Sequence, residues 1–158
     1  MASIEPIRQR FDPMARLLPS HITLVFPFES DLTAKDLRKH VELAVKGVAP
    51  LALTLEGFTG SERQYLFLGV KRGSDSIVDM HERLYSGPLK VHRLFTHTYV
   101  PHVTVGRLGS NAAFQAALAS VAQIDTRIET LAHSVTVYRL EDEHRRPVEF
   151  EVSLVASE

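Results

Sequence analysis

The chain of 158 residues contains no cysteine and no tryptophan. Without cysteine it has no disulfide, no thiol nucleophile and no cysteine ligand for a metal. It also lacks an apolar run long enough to span a membrane, and residues 1–11 lack the apolar centre of a signal peptide. From these absences we expect a cytoplasmic protein that does not enter a membrane.

An excess of positive charge is absent too. There are 18 Lys and Arg against 19 Asp and Glu, for a formal net charge of −1. Because binding along a phosphate backbone needs clustered cations, this balance argues against an extended nucleic-acid groove. We expect any nucleic-acid partner to be short, such as a nucleotide or an RNA end. The hydrophobic content of 44% suits a single domain over residues 1–158.

Two short motifs stand out against this ordinary composition. His21-Ile22-Thr23-Leu24 and His102-Val103-Thr104-Val105 share the order histidine, any residue, threonine, branched aliphatic. Each lies in a run of β-type residues, and a strand sends residues i and i+2 to the same face. Each histidine should therefore point the same way as its threonine. Two imidazoles and two hydroxyls on a shared groove would supply an acid, a base and donors to a phosphoryl group, without a metal.

The same order of elements follows both motifs. After a motif strand at residues 21–28, Thr33 three residues before Asp36 predicts a helix start, and Gly47 is placed to end that helix. Strands at 51–58 and 64–70 follow, with a turn predicted at residues 59–61. After a second motif strand at about 99–108, a helix carries its apolar side chains on one face, and strands follow at 134–140 and 148–155. Those helix residues are Phe114, Ala117, Leu118 and Val121.

We interpret this repetition as an internal duplication of about residues 20–73 and 99–158, joined by a helix near residues 75–85. The predicted fold class is α+β. We expect a two-lobed, pseudo-duplicated domain in which antiparallel sheets line a central cleft and helices lie outside.

Taken together, the motifs resemble the 2H phosphoesterases, a superfamily that includes 2′-5′ RNA ligases and cyclic phosphodiesterases. The resemblance runs from Ile7-Arg8-Gln9-Arg10-Phe11-Asp12-Pro13 into the first motif. It continues through Tyr99-Val100-Pro101 and the second motif to Arg107, and it ends at the paired apolar runs of residues 135–154. Relatives usually begin with a further apolar strand, which is absent before residue 7. We therefore expect residues 1–20, or a second chain, to cover an open sheet edge.

The resemblance implies a metal-independent phosphoesterase that uses no cofactor. His21 and His102 would be the catalytic acid and base, in an order that the sequence leaves open. Thr23, Thr104 and Arg107 would bind phosphate oxygens. The substrate would be a 2′,3′-cyclic phosphate or a 2′-5′ linked end, and a 5′-hydroxyl in place of water would allow ligation without ATP. Oligomeric state and biological substrate stay open.

Other side chains have less direct support. Position i+5 on a flat strand faces away from i, so Arg107 reaches the histidines only if Gly106 allows a bulge or bend. Phe26 holds the equivalent place after the first motif and either stacks a base or packs in the core. Tyr65, Tyr99 and Tyr138 either line the cleft or pack against the sheet.

Two rival functions stay open. A zinc hydrolase would need a third ligand beside His21 and His102, and no other histidine stands at metal-binding spacing. The six other histidines are His40, His81, His92, His97, His133 and His144. A noncatalytic binder of nucleotides or RNA ends would keep the groove, but binding alone does not require two titratable side chains.

Overall fold

The computed structural model describes residues 4–156, in which helices and antiparallel strands alternate along the chain. The helices are α1 (Glu5–Phe11), α2 (Ala34–Ala44), α3 (Ser74–Leu84) and α4 (Asn111–Val121). The strands are β1 (Leu51–Ser61), β2 (Tyr65–Arg72), β3 (His102–Arg107), β4 (Arg127–Ala132), β5 (Ser134–Tyr138) and β6 (Val148–Ser153). Short 3-10 helices occur at Pro13–Arg16 and Gly87–His92. The mixed helix and sheet class expected from the sequence is confirmed.

Local capping chemistry sets the helix starts. Thr33 accepts a hydrogen bond from the backbone N–H of Asp36 at 3.1 Å, which satisfies a free donor in the first turn of α2. Ser110 does the same for Ala113 at 3.2 Å, at the start of α4. The helices predicted after Thr33, near residues 75–85 and around Phe114 are therefore confirmed.

The described chain divides into two compact units, and each takes segments from both halves of the sequence. The first contains residues 4–23, 53–73 and 101–130, and the second contains 24–52, 74–100 and 131–156. The predicted duplication into residues 20–73 and 99–158 stays a prediction. Residues 1–3 and 157–158, which belong to the predicted single domain, lie outside the described part.

The first unit holds most of a four-stranded sheet in the order β3-β2-β1-β4. Strand β2 pairs antiparallel with both β1 and β3. Alternate side chains of β2 and β3 are fully buried, and α4 adds apolar residues to the same core. The buried set includes Leu66, Leu68, Val103, Val105, Phe114, Ala117 and Val121. Because burial alternates along the strands, the opposite face of the sheet carries the polar and aromatic side chains.

The second unit packs α2 and α3 with the two-stranded β5-β6 sheet. One stripe of each helix supplies apolar side chains at helical spacing, as the sequence pattern predicts. The core consists of Val41, Ala44, Val45, Met80, Leu84, Val135, Phe150 and Leu154.

Several local predictions need correction. Residues 21–28 form no continuous strand, and Ile22 makes only an isolated bridge. Pro19 precedes this segment and Pro27 lies within it, and proline has no backbone N–H for a ladder. The turn predicted at residues 59–61 lies at Glu62 and Arg63, both with positive φ, while residues 59–61 belong to β1. Helix α1 and strand β4 were not predicted from the sequence.

The N-terminal segment lies against the outer strand of the sheet, where the sequence predicts that residues 1–20 or a second chain cover an open edge. Helix α1 contacts β3, which ends the sheet order. Ile22 adds a single antiparallel bridge to Val103 on that strand. The part of the prediction that concerns residues 1–3 lies outside the described residues. Across residues 4–156, no helix combines the length and apolar character that crossing a membrane requires.

Candidate active site

The second motif lies on β3 as predicted. Val103 and Val105 are 0% exposed and point into the core of the first unit. His102 and Thr104 alternate with them and are half-buried. The strand period therefore turns the imidazole and the hydroxyl toward the face of the sheet opposite the core.

The first motif meets the second through one backbone pairing. Ile22 bridges Val103 in the antiparallel sense. The side chains of a bridged pair point to one face of the sheet, and the side chains of the residues on either side of the pair point to the opposite face. His21 and Thr23 are therefore directed to the face that carries His102 and Thr104. The antiparallel register sets His21 toward the Thr104 end of β3 and Thr23 toward the His102 end.

A local hydrogen bond orients His21. Its Nδ1 lies 2.8 Å from the carbonyl oxygen of Pro19. A carbonyl oxygen only accepts, so Nδ1 carries the proton in this contact. In the neutral imidazole the lone pair is then on Nε2, the nitrogen that remains available for proton transfer.

Arg107 reaches the face of the sheet that carries His102 and Thr104, called here the motif face, through a bulge in β3. Strand β2 pairs Phe67 with Thr104 but Leu66 with Gly106, so Val105 is an extra residue in β3. This β-bulge reverses the alternation that follows, and Arg107 stands opposite Tyr65 with its guanidinium 5.8 Å from that ring. Tyr65 and Arg107 consequently share the face that carries His102 and Thr104.

Gly106, the residue after the bulge, lies in close contact with helix α1 and strand β2. A Cβ at Gly106 would lie 3.0 Å from the Cβ of Phe11 and 3.3 Å from the side chain of Leu66. Helix α1 therefore approaches β3 so closely that a larger residue would crowd the contact.

Aromatic rings on β2 continue the same face. Phe67 lies against His102 with ring centroids 3.8 Å apart, and Tyr65 lies 6.0 Å from Phe67. Tyr65 was among the side chains that the sequence places on the sheet, whereas Phe67 was not predicted. The alternation in Tyr65-Leu66-Phe67-Leu68 places Phe67 on the same face as Tyr65. The sequence does not show that β2 pairs with β3, which brings Phe67 beside His102.

Phe26 belongs to the second unit. Its side chain is 40% exposed, which disfavours the core-packing interpretation. Its backbone N–H donates to the hydroxyl of Tyr85 at 3.0 Å. Tyr99, in the same unit, stacks on His81 with centroids 3.7 Å apart.

The residues described offer no cluster of three or more histidine, aspartate or glutamate side chains with metal-binding geometry. The side chains described above offer imidazoles, hydroxyls, aromatic rings and a guanidinium. These groups can exchange protons and hold an anion.

Comparison with known proteins shows the family. The model of the 2′-5′ RNA ligase superfamily matches residues 1–144, so the chain belongs to this superfamily. A protein of Geobacillus sp. (strain WCH70), provisionally named a phosphoesterase, is 34% identical over 68% of this chain. One of Bacillus pumilus with the same provisional name is 32% identical over 63% of this chain. The matches span 62% and 58% of the lengths of these two relatives.

Proposed function

We propose that the protein is a metal-independent phosphoesterase that hydrolyses 2′,3′-cyclic phosphates by histidine acid-base catalysis. The observation that supports the proposal is the Ile22–Val103 bridge, from which we expect His21 and Thr23 on the face of β3 that carries His102 and Thr104. Family membership and the provisional names of the relatives support the same reaction class.

In the proposed mechanism the cyclic phosphate binds between His21 and His102. One neutral imidazole takes a proton from water, and the new P–O bond forms as the water attacks phosphorus. The protonated second imidazole donates to the departing ribose oxygen as the P–O2′ or P–O3′ bond breaks. Thr23 and Thr104 donate to the non-bridging oxygens, and Arg107 offsets the negative charge that accumulates there.

The aromatic face favours a nucleoside substrate over a simple cyclic phosphate. Tyr65 and Phe67 extend from His102 along β2, with Arg107 beside Tyr65. Bases stack on such rings irrespective of sequence. A nucleotide or short RNA end fits both this surface and the net charge of −1. A 5′-hydroxyl that replaces water would join two ends through the same proton transfers.

The test is hydrolysis of nucleoside 2′,3′-cyclic phosphates in excess EDTA. We expect turnover by the wild-type protein and by His97→Ala, a change at an exposed histidine in the second unit. His21→Ala and His102→Ala should each lose most of the rate. Tight binding without turnover would favour the noncatalytic alternative, and loss of activity with EDTA would favour a metal hydrolase.

A further inference from the structure

Arg8 on α1 is a buried cation that the proposed reaction does not use. Its residue surface is 1% exposed. The guanidinium forms ion pairs with Asp12 and with Glu5, both at 3.1 Å. A buried guanidinium without such partners would lower the stability of the fold, and the two carboxylates compensate its charge. Arg8 and Asp12 lie in the segment 7–13 that the resemblance includes.

The same guanidinium holds the chain on both sides of Pro19. Its Nη2 donates to the carbonyl oxygen of Leu18 at 3.0 Å, and its Nη1 donates to the hydroxyl of Ser20 at 3.3 Å. The hydroxyl of Ser20 in turn donates to the carboxylate of Glu5. Pro19 therefore lies between two residues that are fixed to one buried charge.

Pro19 supplies the carbonyl oxygen that binds Nδ1 of His21. Pro19 lies between Leu18 and Ser20, so the position of its carbonyl oxygen depends on how these two neighbours are held. Proline also restricts the backbone here, because its φ is fixed near −65°. The buried network thus reaches the imidazole through one carbonyl group.

The electrostatics of Glu5 agree with this arrangement. The hydrogen bond from Ser20 lowers the pKa of Glu5, and Arg8 lowers it further, against an opposing effect of burial. The carboxylate is therefore favoured in its ionised form, which accepts from both Ser20 and Arg8.

We propose that Arg8 is a positioning residue that, with Glu5 and Ser20, holds the Pro19 carbonyl so that neutral His21 keeps its proton on Nδ1 and offers Nε2 for proton transfer. The catalytic consequence rests on the proposed function, but the tautomer does not.

The direct test is the tautomer, read from ¹⁵N chemical shifts of the His21 ring at a pH where the ring is neutral. We expect the proton on Nδ1 in the wild-type protein. In Ser20→Ala and Arg8→Lys the population should move toward protonated Nε2. Ile128→Ala serves as the matched control, because it removes a buried β4 side chain in the same unit without touching this network.

Steady-state kinetics form the second arm. Ser20→Ala should lower kcat about 10-fold and Arg8→Lys about 10- to 100-fold, with smaller changes in KM, as expected when a catalytic side chain loses its orientation. Ile128→Ala should change thermal stability but leave the tautomer and kcat near wild type.

Each outcome decides a separate question. A wild-type His21 protonated on Nε2, or an unchanged tautomer in folded Ser20→Ala, would overturn the inference. If Arg8→Lys does not fold, the wild-type protein and Ser20→Ala still decide it. A wild-type protein that turns over no cyclic phosphate would end the proposed function, while the ring shifts would still test the positioning role.

Discussion

Ile22 pairs with Val103 in an antiparallel bridge, although no continuous strand contains Ile22. Val103 is completely buried in the second motif, so the bridge joins the first motif to a strand whose apolar face lies in the core. One backbone contact therefore aligns two segments that are distant in sequence. The directions of His21 and Thr23 follow from this bridge, and those of His102 and Thr104 follow from the alternation along β3.

The histidine pair should behave as one catalytic unit. His21→Ala and His102→Ala should each lower kcat on the order of 10²-fold or more, because each removes a whole proton-transfer role. The double variant should be barely slower than either single variant, since residues that act as a unit are non-additive. The pH–rate profile should be bell-shaped, because one imidazole must be neutral while the other is protonated. Full activity in either single variant would contradict the mechanism.

The threonines should contribute less than the histidines. Thr23→Val and Thr104→Val each remove a hydroxyl from the motif face while preserving side-chain shape. We expect kcat to fall about 10- to 10³-fold, as for the loss of one transition-state hydrogen bond. Thr23→Ser and Thr104→Ser keep the donor and should recover most of the rate. If the serine variants are as slow as the valine variants, the hydroxyls are not the groups that bind phosphate.

Tyr65 should affect substrates that contain a base. Tyr65→Ala should raise KM for a nucleoside 2′,3′-cyclic phosphate on the order of 10-fold, in line with about 1–3 kcal/mol for a base stacked on an aromatic ring. Tyr65→Phe keeps the ring and should stay near wild type. A cyclic phosphate without a base, assayed in parallel, should show little change. An equal loss on both substrates would indicate a general structural effect.

The second motif was predictable because its signals are local. His102-Val103-Thr104-Val105 alternates between polar and apolar residues, and β3 shows the burial that this alternation implies. The helix start after Thr33 was predictable for the same reason, because the cap lies within three residues of its partner. Both predictions depend only on neighbouring residues.

The remaining features depend on partners that a single sequence does not reveal. The position of Arg107 follows from the pairing of β2 with β3, which sets the bulge at Val105. Phe67 belongs to the candidate site only because β2 lies beside His102. Helix α1 was not predicted because it has only seven residues, and the partners of its buried Arg8 include residues outside the helix.

Gly60 tests the packing beneath the sheet. A Cβ at this position would overlap Cζ of Phe114, whose side chain is 4% exposed. Gly60→Ala should therefore lower the unfolding free energy by about 1–3 kcal/mol through overpacking. Gly109→Ala is the matched control, because its Cβ would meet nothing within 4 Å. Urea denaturation of both variants measures the difference, and equal stabilities would contradict the described packing of α4.

Tyr99 should make the protein sensitive to alkaline unfolding. Burial raises the pKa of Tyr99, and Tyr85 raises it further, while the ring stacks on His81. An unfolded tyrosine ionises near pH 10, so below that pH both states keep the proton and the stabilisation is fully present. As the pH rises further, the unfolded phenol loses its proton first, and the unfolding free energy falls by at most about 1.4 kcal/mol per pH unit from this residue. Urea denaturation between pH 8 and pH 11, set by that ionisation range, should show a shallower decline for Tyr99→Phe than for wild type. Parallel declines would show that Tyr99 ionises equally in both states.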